Sequence, residues 1–344
     1  MLRPHARSWV TSRASLLTTF VALFILVSIW TTRIYGDALN LEALRNRLPS
    51  NLNPLRNRPA SPFRNTTDPV THHLLPPKIW QISLPKNPAD PAGRDINPES
   101  LQDAATWLAK NPDYAYTLVD NFGGETFVRT HFSHRPDILA AYQNMPNVGM
   151  KSDLLRYLLL YIEGGVYTDT DTVAIKPIDK WIPEEFRSKA KVVVGIEFDR
   201  LDGGAWADIN HWVQFCQWTI AAAPGHPVFM RMVDRVLASL EDLSKEHHVP
   251  VDHVKPTSFE VMNSTGPAAW TDVVFEELRL AEGWLSDTKD LSGMPGARMF
   301  GDVLVLTVNG FGMGQLHSGS VNNGTVPEEE ELVGTAYGGK KGLR

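Results

Sequence analysis

The chain has 344 residues, is 43% hydrophobic, carries a formal net charge of −6 and contains one cysteine. That length and apolar content suffice for one large globular domain or two small ones. The acidic balance, with no long basic stretch interleaved with aromatics, points away from nucleic acid. The lone Cys216 excludes an intrachain disulfide and a zinc site of several thiolates, and reads as a small buried apolar residue rather than a nucleophile.

In chain order, residues 1–13 carry Arg3, Arg7 and Arg13 and read as a cytoplasmic tail. Residues 14–30, ASLLTTFVALFILVSIW, hold no charge. With Thr31 and Thr32 they reach roughly the 17–20 residues that cross a hydrocarbon core. The run is long for a signal-peptide core, and no small-x-small cleavage site follows it, so an uncleaved type II signal anchor over 14–32 is expected. Its short length suits a thin membrane of the early secretory pathway. Residues 33–75 lose periodicity and gather Pro49, Pro54, Pro59, Pro62 and Pro69, the composition of an extended lumenal stem. Asn65, Asn263 and Asn323 each open an Asn-x-Ser/Thr sequon, which fits a lumenal domain.

The expected catalytic domain covers 76–320. A strand at Lys78–Ile82 is followed by a helix over 98–109, a strand over 114–119 and helical spacing over 132–143. Further strands are expected at 191–196 and 303–308. This alternation predicts an α/β domain with a mainly parallel central sheet. Residues 321–344, with the acidic run Glu328 to Glu331, read as a disordered tail.

The most informative stretch is KSDLLRYLLLYIEGGVYTDTDT, residues 151–172. Ser152 or its neighbour can cap a helix ending at Glu163. Leu154, Leu155, Leu158, Leu159 and Ile162 form its buried face, and Asp153 and Arg156, three apart, share the opposite one. Gly164 and Gly165 stop the helix, and a strand begins at Val166. In extended chain Asp169 and Asp171 then point the same way. Two carboxylates at a strand end suit a hard divalent ion that keeps positions open for substrate phosphates, and Arg156 can add a second cation beside those phosphates. Asp-x-Asp alone is a common solvated turn, and an isolated Asp153–Arg156 pair would be a surface ion pair of little worth. The combination of buried helix, polar pair, double-glycine stop and carboxylates is what carries the specificity.

This segment resembles the DXD sugar-binding region of glycosyltransferase family 32. That group includes the fungal initiation-specific α-1,6-mannosyltransferases, the mannosyltransferases acting on inositol phosphoceramide and, more distantly, the clostridial toxin glucosyltransferases. The resemblance to the α-1,6-mannosyltransferases extends over Pro77–Gln81, Asn111–Tyr114, Lys176–Ile178, Gly195–Glu197, Gln217–Thr219, Ala223–Pro227 and Thr265–Pro267. It implies a GT-A fold, Mn²⁺, GDP-mannose as donor and retention of the α configuration. It also implies an N-glycan or glycoprotein acceptor, a Golgi membrane location, and other Golgi transferases as complex partners.

By the same resemblance Asp153 and Arg156 would hold donor sugar and phosphate. Asp169 would touch the sugar or ribose and reach the metal through water, Asp171 would be the direct ligand, and His317 would complete the site. Trp80 would lie near the base, or simply in the core. The family places a tryptophan after the Gly-Ser that follows His317, where this chain has Val321. Gly266 in Thr265-Gly266-Pro267 allows close ligand approach or starts a helix behind a Thr265 cap. Glu197 and Asp199 stand at a strand end close to where an acceptor could enter. The rival readings are a sphingolipid or other glycan acceptor and, from another class, an inactive lectin-like paralogue.

Overall fold

The computed structural model describes residues 74–85, 98–145, 147–201, 203–204, 209–313 and 335–337. The expected anchor and stem, Asn65, His317, Val321 and Asn323 lie outside the described residues. Within them, α1 (Pro98–Lys110) joins β1 (Lys78–Ile82) to β2 (Ala115–Val119). Then come α2 (Asn121–His131), α3 (Pro136–Asn144), α4 (Val148–Glu163), β3 (Gly165–Thr168) and β4 (Thr172–Ala174). Strands β5 (Val192–Asp199), β6 (Val213–Phe215) and β7 (Thr219–Ala222) precede α5 (Pro227–Glu246), α6 (Ser258–Ser264) and α7 (Pro267–Ala281). Strands β8 (Arg298–Phe300) and β9 (Val303–Leu306) and the single turn α8 (Val308–Phe311) follow. Within the segment expected to be a disordered tail, residues 335–337 form a strand, β10, antiparallel to β4.

The main sheet has the order β2-β1-β3-β7-β5-β9-β8, with β6 pairing β5. The expectation of a mainly parallel sheet is corrected here: the sheet is mixed. Only β1–β2, β1–β3 and β5–β9 are parallel, while β7 runs against both β3 and β5. The chain leaving β5 returns along it as β6 and then β7, both antiparallel to β5, so this part of the sheet holds no parallel crossover. Alternation along the strands sends side chains to two cores. Tyr167, Val192, Val194, Ile220 and Val305 join the larger one, under α4, α5 and α7. Val166, Val193, Ala221, Leu304 and Leu306 join the smaller one with Trp107, Trp181 and Phe311.

The helix expected over 132–143 is α3, which starts four residues later at Pro136, and α2 ahead of it was not expected. Asp120 caps α2 by accepting from the Gly123 N–H at 2.8 Å, and Pro136 opens α3 at its first turn. Gly123 and Gly124 lower helix propensity and hid α2 in the sequence. Gly124 is required because a side chain there would collide with the Tyr142 hydroxyl and Leu155.

Helix α4 begins a turn earlier than its sequence suggests, capped by Asn147, whose side chain accepts from the Met150 N–H at 3.0 Å. Gly164 ends it at φ 61°, ψ −158°, a region open essentially to glycine alone. A Cβ there would lie 2.7 Å from the Ala222 carbonyl oxygen and 2.8 Å from Pro224. Gly164→Ala is therefore expected to cost about 1–3 kcal/mol from backbone strain alone, with the clash added. Urea unfolding of the variant checks this, and an unchanged midpoint would show that the turn relaxes.

Candidate functional site

The parallel strands β1, β2 and β3 end on one edge of the sheet, where open α/β sheets bind ligands. The Asp-Thr-Asp segment sits on that edge, but not in extended chain as the sequence reading assumed. Strand β3 stops at Thr168, and residues 169–171 form a turn into β4. The Thr172 N–H and hydroxyl both bond the Asp169 carbonyl, at 3.3 and 2.7 Å, closing the turn locally. Period-two alternation therefore does not set the relative direction of Asp169 and Asp171. The Asp169 backbone is fixed from two sides: its N–H donates to the Trp218 carbonyl at 2.8 Å, and Gln81 Nε2 donates to its carbonyl at 3.0 Å.

Asp153 and Arg156 do not share a solvated face. They are 6% and 5% exposed, and α4 is buried almost all round, between the sheet on one side and α5 on the other. Arg156 Nη2 lies 2.7 Å from Asp153 Oδ1, and its Nη1 lies 3.5 Å from Asp169 Oδ1. Nη1 also donates to the Gln217 carbonyl at 3.0 Å. The guanidinium sits 4.6 Å from the Tyr167 ring centre, and the Tyr167 hydroxyl donates to Asp169 Oδ1 at 2.5 Å. Thr265 Oγ1 donates to Asp153 Oδ2 at 2.7 Å, and Gln217 Nε2 bonds both the Tyr157 hydroxyl and the Thr265 carbonyl. The result is a buried cation held between two carboxylates and braced by neutral polar groups.

Burial raises the Asp153 and Asp169 carboxyls above the ordinary range, while Arg156 and the hydroxyl donors Thr265 and Tyr167 oppose that rise. Both hydroxyls donate to these oxygens, as they would to ionised carboxylates. Desolvation is also the first cause pushing the Tyr167 phenol well above its usual value, with Asp169 adding to the rise. Replacing such an ion pair by apolar packing is often neutral or stabilising. Packing therefore gives no reason to keep three charges at a strand end, whereas a charged ligand does.

The other expected site residues are placed as follows. Asp171 is half-buried in the turn, close enough to raise the Asp169 carboxyl. Trp80 is half-buried, and its indole N–H donates to the Gly164 carbonyl at 2.8 Å, at the start of β3 rather than at its Asp169 end. Glu197 is buried at an irregularity between Ile196 and Phe198, where β5 pairs β6, and Gln214 Nε2 donates to it at 3.1 Å. Strand β7 lies between it and β3.

Gly266 is the N-cap of α7, with Pro267 at the first turn, and a Cβ there would lie 2.9 Å from Met262 Cα. Thr265 does not cap α7; its hydroxyl faces Asp153 instead. Asn263, half-buried in α6, donates to the Phe259 carbonyl and accepts from Asn210. Among the described residues, no three His, Cys, Asp or Glu side chains form a cluster that could hold a metal ion.

No role is expected from the sequence for the side chains of Tyr167, Gln217 and Gln81, and Thr265, expected as a helix cap, instead donates to Asp153. Tyr167 had a usable signal, since it stands two residues before Asp169 on one strand face. Gln217 and Thr265 come from distant segments and carried no local signal.

Residues 98–187, the segment that supplies Asp153, Arg156, Asp169 and Asp171, match the family described as "Glycosyltransferase sugar-binding region containing DXD motif". Over longer spans the chain is homologous to proteins named "Initiation-specific alpha-1,6-mannosyltransferase". It is 35% identical over 256 residues to the one from Schizosaccharomyces pombe, covering 72% of this chain and 60% of that protein. It is 35% identical over 224 residues to the one from Candida albicans, covering 60% of this chain and 58% of that protein. The chain thus spans less than two thirds of the length of these curated relatives. Among solved structures, "PaToxG Glycosyltransferase" aligns with 16% identity and a TM-score of 0.40, over 61% of this chain and 72% of that one.

Proposed function

We propose that the chain is a metal-dependent, retaining GT-A-type transferase. In this reading it moves mannose from GDP-mannose to an N-glycan core through an α-1,6 bond, on the lumenal side of a type II Golgi anchor. The observation that carries the reading is the buried Asp153–Arg156 pair bridged to the half-buried Asp169 at the strand edge, with Asp171 beside it. The names of the homologues support the sugar and the linkage.

A hard divalent ion fits the donor set. Mg²⁺ or Mn²⁺ needs only one or two protein carboxylates when substrate phosphates supply further oxygens, and Asp169 and Asp171 offer carboxylates of that kind. His317 would be a further ligand. When bound, the cation would offset the negative charge of the departing diphosphate.

The chain's own groups do the rest. Arg156 presents fixed positive charge next to the carboxylates, where a phosphate can share it. Its Nε is buried with no partner among the described residues. A carboxylate has about four acceptor positions, so Asp153 and Asp169 keep capacity for sugar hydroxyls beyond their internal bonds. Tyr167 and Thr265 hold those carboxylates in place, which is the preorganisation a reacting sugar needs.

In the transfer, the bond from the anomeric carbon to the diphosphate oxygen breaks. The acceptor oxygen bonds that carbon from the same face, and its proton passes to the departing phosphate. Glu197 stands apart on β5, so no protein nucleophile is assigned.

A donor screen tests the reading. With the purified full chain, GDP release from GDP-mannose should exceed release from other nucleotide sugars, and should require Mn²⁺. Equal release in the presence of a chelator, or none with any donor, would overturn it.

A further inference from the structure

At the far end of β5 a cavity of about 530 Å³ is lined by Leu201, Trp212, Lys289 and Ser292. That volume lies within the range of small-ligand sites. The Arg200 guanidinium and the Lys289 ammonium lie over the Trp212 ring, 4.7 and 4.4 Å from its centre. Asp199 accepts from the Ser292 hydroxyl at 2.6 Å and from the Gly293 N–H at 2.7 Å. Leu201, at the rim, has φ 47°, a left-handed conformation unusual for leucine, and its N–H donates to Asp199 at 3.1 Å.

The charges around this cavity do not favour an anion. Among the described residues Asp199, Asp287 and Asp290 stand near Arg200 and Lys289, three negative charges against two positive. Asp287 accepts from the Lys289 N–H, and Asp290 from the Ser286 N–H. A neutral polyhydroxylated ligand matches the whole set. Of the lining side chains, Lys289 can donate to its oxygens, Ser292, whose hydroxyl proton goes to Asp199, can accept from its hydroxyls, and the Trp212 indole offers apolar surface to its C–H groups.

The cavity shares an edge with the donor cluster. Strands β3 and β5 both run against β7, so they point the same way. Thr168 faces Thr219 and Val193 faces Ala221, which sets Asp169 about level with Ile196. Arg200 is therefore about 13 Å further along the strands and about 10 Å across, from ordinary strand rise and spacing. Several sugar rings would fill that gap.

We infer that the Trp212–Lys289 cavity is a remote acceptor subsite, holding neutral saccharide units of an oligosaccharide away from the ring that is glycosylated. The inference rests on the transferase reading for its link to turnover, but not for binding.

The test compares methyl α-mannoside with a neutral manno-oligosaccharide as acceptors. The wild-type chain should show at least a tenfold higher kcat/KM for the oligosaccharide. Lys289→Ala and Trp212→Ala should each cut that long-to-short ratio about tenfold, mainly through KM, with unchanged thermal midpoints for the exposed Lys289 variant. Binding of the same oligosaccharide, by calorimetry without donor, should weaken in parallel. Weakened binding in a chain that transfers nothing would sink the transferase reading and leave the subsite standing. No wild-type length preference, ratios unaltered in Lys289→Ala, tighter binding of a phosphorylated oligosaccharide, or no oligosaccharide binding at all would overturn the subsite.

Discussion

Arg156→Ala is expected to destabilise the fold by about 3–5 kcal/mol, the usual cost of removing one partner from a buried charge pair. The arginine is the counter-charge for both Asp153 and Asp169, so its loss leaves two carboxylates with neutral donors alone. One or both must then take up a proton or draw in water, and either costs stability. Arg156→Lys is the informative control. Lysine keeps the charge but lacks the planar fork that reaches Asp153, Asp169 and the Gln217 carbonyl together. It should recover part of the stability while donor hydrolysis stays low. Urea unfolding with a donor-hydrolysis assay separates the two effects. A loss under about 1 kcal/mol in the alanine variant would place the pair among weakly contributing surface ion pairs.

Asp171→Ala should behave in the opposite way. Asp171 sits half-buried in the turn after β3, so its removal should leave the unfolding midpoint within the range of ordinary surface substitutions, about ±0.5 kcal/mol. Turnover of GDP-mannose with Mn²⁺ should nevertheless fall about 10²–10³-fold, the typical cost of losing one electrostatic contact to a developing charge. Asp171→Asn, which keeps the shape and loses the charge, should fall comparably. Retained Mn²⁺-dependent turnover in either variant would remove Asp171 from the metal site.

The local order of the site was legible in the sequence because it is written contiguously. The leucine spacing of α4, the Gly164–Gly165 stop and the strand behind it lie within one short stretch and obey local rules. What local rules cannot report is how crowded a helix face becomes. Asp153 and Arg156 looked solvated because nothing nearby in sequence covers them, yet Thr265 and Gln217 close over that face from distant segments. The turn at Asp169–Asp171 was misjudged for the opposite reason. The Thr172 hydroxyl bonds back to Asp169 and bends a stretch that would otherwise have continued extended. The mixed sheet followed from β7, a strand too short and too uniformly buried to announce its direction.

The bend between β6 and β7 ties two partners of the donor cluster to one support. Consecutive carbonyls there, of Gln217 and Trp218, hold the Arg156 guanidinium and the Asp169 amide respectively. The Arg156 guanidinium and the backbone that carries the Asp169 carboxylate thus rest on adjacent links of one peptide, so a shift of that bend would carry both. A substitution beneath the bend would therefore tilt the cation and the carboxylate together, without altering either group.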